Sequence, residues 1–136
     1  MHVPFWKIAV GLLMVANGLL FAGQVYLFND TAAALRIHSD IPPEADPALV
    51  NLKVGAWALA GLAFVVAGAG LMSGRRDWLP AAFVGFLLVD GLYVAQFWLF
   101  GASYLGVWAG FATFGLLALG YAAVCRYSWR TTAGLA

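Results

Sequence analysis

Charge is what this sequence has least of. Only 10% of its 136 residues are Asp, Glu, Lys or Arg, and the net charge is +1. A soluble domain carries about a quarter charged residues, so a water-facing surface of the ordinary kind is excluded. The near-zero balance also excludes the basic field that recruits nucleic acid. A single cysteine, Cys125, leaves no internal disulfide and no Cys-x-x-Cys redox pair, and it reads as a small packing residue. The two histidines, His2 and His38, fall outside the apolar runs, which argues against a haem or pigment ligated within the membrane. No nucleophile–base pair, phosphate loop or metal-ligand cluster is legible, so neither enzymatic activity nor a cofactor is expected. His38, Asp40, Glu44 and Asp46 read as a solvated acidic loop rather than a metal site.

What is abundant is apolar surface: 64% of the residues are hydrophobic. They fall into four runs, at 8–28, 54–73, 79–100 and 105–125. Each run is about 20 residues, enough to cross a hydrocarbon layer of roughly 30 Å at about 1.5 Å per residue. The first run follows Lys7 but is about twice the length of a signal-peptide core, and it is expected to be retained. The pattern predicts one all-α transmembrane domain over residues 1–136, with spans at about 6–28, 51–73, 79–100 and 105–127 and an external loop at 29–50. These spans leave no room within the 136 residues for a separate soluble catalytic domain.

The links at 74–78 and 101–104 are short enough to force antiparallel neighbours, hence two helical hairpins. The first connection is longer and carries Pro42, Pro43 and Pro47. Within it, Asp30 and Thr31 can cap a short interfacial turn through Leu35, and Asp46 followed by Pro47 reads as the start of the second helix. Orientation follows from the basic residues. Lys7, Arg75, Arg76, Arg126 and Arg130 flank one side, whereas Arg36 and Lys53 on the other are outweighed by Asp30, Asp40, Glu44 and Asp46. Both termini are therefore expected in the cytoplasm.

The halves also resemble each other. Gly55, Trp57 and Arg75 recur 51 positions on as Gly106, Trp108 and Arg126. Asn17-Gly18-Leu19 recurs 73 positions on as Asp90-Gly91-Leu92, and Gln24 and Leu27-Phe28 recur 72 positions on as Gln96 and Leu99-Phe100. Matching polar residues at one depth, in helices of one direction, point to an internal duplication. The expected architecture is a four-helix bundle of two similar transmembrane hairpins, a parallel repeat about a pseudo-two-fold axis along the membrane normal. The one-residue deletion has a consequence on the third helix: Asp90 shares its face with Phe86, Tyr93 and Phe97 rather than with Gln96.

Asp90 is the one ionisable residue deep in a span. An aspartate at the centre of a membrane helix costs roughly 3 kcal/mol on insertion scales, so it calls for a partner or a purpose. One reading makes it a proton or cation site or a ligand anchor. The other makes it a neutral acid that bonds Asn17, Thr113 or a backbone carbonyl and holds helices together. Asn17, Gln24, Gln96 and Tyr93 complete the candidate ligand- or ion-binding set. Tyr93 sits deeper than an interfacial aromatic belt, so its hydroxyl needs a partner. A stripe of small residues, Ala56, Ala60, Ala63, Ala67, Gly70 and Gly74, shares one face of the second span and predicts close helix packing inside the bundle or against another subunit.

The four spans and the arginine-ended, glycine-rich second helix resemble DoxX-like and other small four-span families of the bacterial inner membrane; the likeness implies no particular activity. The expected role is a non-enzymatic accessory or assembly subunit, partnered by the lipid bilayer and by other membrane subunits or copies of itself. The alternative is a small oligomeric transporter or channel using Asp90 as its proton or cation site.

Overall fold

The computed structural model describes residues 2–27, 46–100 and 105–133. The expected external loop up to residue 45, with its interfacial turn and its His38–Asp40–Glu44 cluster, and the link at 101–104 lie outside the described residues. The described chain is all-helical: α1 (Phe5–Leu27), α2 (Pro47–Ser73), α3 (Ala81–Phe100) and α4 (Leu105–Ala133), with a single 3-10 turn at Arg76–Trp78. Three stretches, Phe5–Gly23, Asn51–Ser73 and Arg76–Ala95, are long and apolar enough to cross a membrane.

The helix ends follow local chemistry. Asp46 caps α2, its carboxylate accepting from the Ala48 N–H at 2.9 Å, and Pro47 occupies the first turn, where no N–H is needed. At the other end Gly74 adopts φ 70°, a left-handed conformation that a side chain would strain. This lets the Arg75 N–H reach back to the Gly70 carbonyl at 2.8 Å. The 3-10 turn and Pro80 then reverse the chain into α3 within seven residues, 74–80.

The helices are linked in turn around the bundle by backbone and side-chain contacts. α1 and α2 run antiparallel with Gly11 against Gly68 and Gly18 against Gly61. α2 meets α3 where the Phe64 ring lies over Gly85 and where Trp57 meets Tyr93 edge-on at 5.6 Å. α3 meets α4 at Asp90 and Gly115 and at Tyr93 and Phe111. α4 reaches α1 through Phe21–Phe114, Asn17–Tyr121 and Trp6–Tyr127. The interior holds Met14, Ala60, Phe64, Ala67, Leu71, Val89 and Cys125.

The outside is apolar as well. Leu12, Leu13, Leu19, Leu20, Leu59, Leu62, Val84, Leu87, Leu116 and Leu119 are all exposed. A water-soluble monomer does not present apolar surface on this scale, whereas hydrocarbon solvates it at no cost.

Candidate functional site

The candidate residues are distributed over three places. The first is an aromatic box in the half of the bundle that includes Phe21. Trp57 stands at its centre, edge-on to Phe21 at 4.8 Å, to Tyr93 at 5.6 Å and to Phe114 at 5.6 Å. Tyr93 stacks on Phe114 at 6.3 Å with the rings 13° apart. Offset and edge-to-face pairs of this kind add about 0.5–1.5 kcal/mol each beyond the area they bury. Below the box, Asn17 on α1 donates from Nδ2 to the Tyr121 hydroxyl oxygen at 2.7 Å and to the Leu13 carbonyl at 3.0 Å. Asn17 therefore serves as a clasp between α1 and α4. Tyr93 takes its place in the box, and Lys53, only 3% exposed, lies one helical turn from Trp57. Trp57 Nε1 is buried with no hydrogen-bond partner among the described residues.

The second place is the α3/α4 seam. Asp90 is half-buried there, in a groove of about 340 Å³ lined by Phe86, Asp90, Phe111, Ala112, Gly115, Leu116 and Leu119. Ala112, Leu116 and Leu119 are exposed, so the groove opens on the outer face of the bundle. Asp90 fits because position 115 has no side chain: a Cβ added there would sit 3.2 Å from Asp90 Oδ1. Asp90 and Asn17 are not brought together. Asn17 is bonded to Tyr121, and no hydrogen bond to Asp90 forms among the described residues. Phe86 shares the Asp90 groove, whereas Tyr93 turns into the aromatic box. The side chains of Gln24 and Gln96 lie outside the described residues.

The third place is the end of the bundle where α1 and α3 begin and α2 and α4 finish. It carries Lys7, Arg75, Arg76, Arg126 and Arg130, with Asp77 as the acidic residue among those described. Arg76 lays its guanidinium over the Trp129 ring at 3.8 Å, and Arg75 lies over Trp78 at 4.9 Å.

Of the small-residue stripe, Ala60, Ala67 and Gly70 are buried, Ala56 and Ala63 are half-buried, and Gly74 is exposed. Ala60 and Ala67 belong to the core, while the backbones come closest on the neighbouring face, at Gly61 and Gly68. Sequence reasoning missed these two glycines and their mates on α1. The signal was present: Gly11 and Gly18 are seven apart, as are Gly61 and Gly68, so each pair shares one helix face. The Asn17–Tyr121 bond carried no such signal, because its partners are 104 residues apart.

Chemically, the clasp is satisfied within the chain, and the seam offers one carboxyl group to whatever lies beside the bundle. No group of three His, Cys, Asp or Glu side chains is placed to hold a metal among the described residues. Set against family models, curated proteins and solved structures, the chain matches none. The resemblance to DoxX-like families accordingly carries nothing forward.

Proposed function

We propose that this chain is a non-enzymatic four-span protein of the bacterial inner membrane that docks sideways into a larger membrane complex, with the Asp90 groove as its docking seam. The observation that carries this reading is the place of Asp90 in a groove that opens on the outer face of the bundle, beside Gly115 and without a hydrogen-bond partner among the described residues. A carboxyl group facing hydrocarbon costs roughly 3 kcal/mol. A partner helix that brings a hydrogen-bond donor or a cation into the groove offsets that cost and gains packing against Phe86, Phe111 and Leu119. The lateral exposure that is unfavourable in the isolated chain thus becomes specificity in the complex.

The fourth span is α4, whose 29 residues are long enough to cross beside α3. Five basic residues at one end support a cytoplasmic placement of both termini. The two hairpins are read as copies of one ancestral pair. The transporter reading has less support, because Asp90 is the one ionisable residue lining its groove, and a cation path needs further polar groups.

Purification in mild detergent from native membranes tests the docking role. The wild-type chain is expected to migrate in a complex with other proteins, and Asp90→Leu is expected to run free of it while remaining folded. A wild-type chain that migrates alone or only with copies of itself overturns the reading, as does an Asp90→Leu chain that stays in the complex.

A further inference from the structure

At the basic end, a second groove of about 240 Å³ lies between the start of α3 and the end of α4, lined by Leu79, Pro80, Phe83, Cys125, Arg126 and Trp129. We propose that this groove binds one acidic phospholipid, its phosphate held by Arg126 and Arg76 and an acyl chain laid along Leu79, Phe83 and Trp129. The site rests on the membrane placement proposed above but not on the docking role of Asp90.

Three observations converge on this ligand. The lining is apolar apart from Arg126, so a ligand that fills the groove must bring hydrocarbon, which a free phosphate or a nucleotide phosphate does not. The Arg76 guanidinium lies over the ring of Trp129, a wall of the groove, at 3.8 Å. Stacking engages the face of a guanidinium and leaves its edge N–H donors for a planar or tetrahedral oxyanion. Nε is itself buried with no hydrogen-bond partner among the described residues, so the donors offered to a phosphate are those of the terminal nitrogens. Finally, Lys7, Arg75, Arg76, Arg126 and Arg130 share this end with Asp77 as the described acid. An excess of positive charge at the membrane surface favours a lipid with net negative charge over a zwitterionic one, whose own cation it repels.

Native mass spectrometry of the full chain in detergent tests the site, with phosphatidylglycerol and phosphatidylcholine of identical acyl chains as probes. The wild type is expected to retain phosphatidylglycerol several-fold better. Arg126→Gln and Arg76→Gln are each expected to weaken that retention by about fivefold, the effect of one basic residue close to a lipid phosphate. Arg130→Gln, whose side chain does not line the groove, should change it by less than about twofold, since it removes charge from the same end without touching the site. Arg126→Lys keeps the charge and should keep most of the preference, which guards against a loss caused only by misfolding.

Equal retention of the two lipids overturns the proposal. So does an Arg130→Gln loss as large as that of Arg126→Gln, which would show a diffuse field. Displacement of the lipid by glycerol 3-phosphate at equal concentration would show a soluble-phosphate site and equally overturn it. Asp90→Leu should leave lipid selectivity unchanged, so failure here and failure of the docking role are read in different variants.

Discussion

Along the α1/α2 seam Gly11 faces Gly68 and Gly18 faces Gly61, and the two backbones touch; along the α3/α4 seam a groove stands open beside Asp90. At the offsets that align the halves, Gly61 and Gly68 correspond to Ala112 and Leu119, and Gly11 and Gly18 to Val84 and Gly91. Three of the four glycines that close the first seam have side chains in the second, and Ala112 and Leu119 line the groove itself. The tryptophans tell the same story. Trp57 on α2 is 5% exposed at the centre of the aromatic box, whereas its counterpart Trp108 on α4 is 52% exposed. Similar hairpin sequences thus make one shut seam and one open groove, and the two differ at three positions where a glycine hydrogen gives way to a methyl, an isobutyl or an isopropyl group.

That contrast is sharpest at Gly18. A Cβ there would collide with the Gly61 carbonyl oxygen and sit 2.9 Å from the Val65 backbone nitrogen, neither of which can swing away. Gly18→Val is therefore expected to separate α1 from α2 and lower stability by about 3 kcal/mol, at the upper end of overpacking costs. Equilibrium unfolding in mixed detergent micelles measures it, and an unchanged midpoint would mean that the seam is not closed by backbone contact.

Next in size is Asp90→Leu in the isolated chain, which removes a carboxyl group from the groove between α3 and α4. Insertion of α3 should improve by up to about 3 kcal/mol on insertion scales, read by a glycosylation-based insertion assay. A chain that inserts worse without the acid would show that Asp90 is satisfied internally, and the open seam would lose its meaning.

The Asn17–Tyr121 clasp is a smaller effect. Tyr121→Phe keeps the ring against Phe64 and deletes only the hydroxyl. A loss of about 0.6 kcal/mol is expected, the average for an interhelical hydrogen bond in a membrane bundle. A double-mutant cycle with Asn17→Ala isolates it, and additive losses would show that the two side chains are not coupled.

Smallest is Gly91→Ala, at the counterpart of Gly18. No atom lies within 4 Å of the Cβ it would add, and alanine is the better helix former. Stability should hold or rise by less than about 1 kcal/mol. A loss comparable to that of Gly18→Val would erase the distinction between the seams.

Much of the scaffold was legible in advance because it depends on neighbours in the chain. The start of α2 could be read from Asp46 and Pro47, since a cap and its N–H groups lie within one turn. The tight reversal after Gly74 could be read from a glycine at the end of an apolar run. The position of Asp90 midway along α3 could be read by counting residues. The site was less legible because it depends on rotation about the helix axis. The Ala60–Ala67 stripe marked a packed face, but one residue further on, Gly61 and Gly68 make the closer contact. Neighbouring positions on a helix differ by about 100° in direction, and an apolar span that is greasy on every side gives no polar face by which to choose among them.

Composition and patterning alone determined that these residues form long apolar helices with their basic residues gathered at one end, because both properties are sums over local sequence. The tertiary structure alone decided that Asn17 spends its hydrogen bond on Tyr121 and that Asp90 lies half-buried in the open α3/α4 groove beside Gly115. Those outcomes are set by which helix faces meet, and the faces are chosen by the fit of small residues against backbone and rings across the bundle.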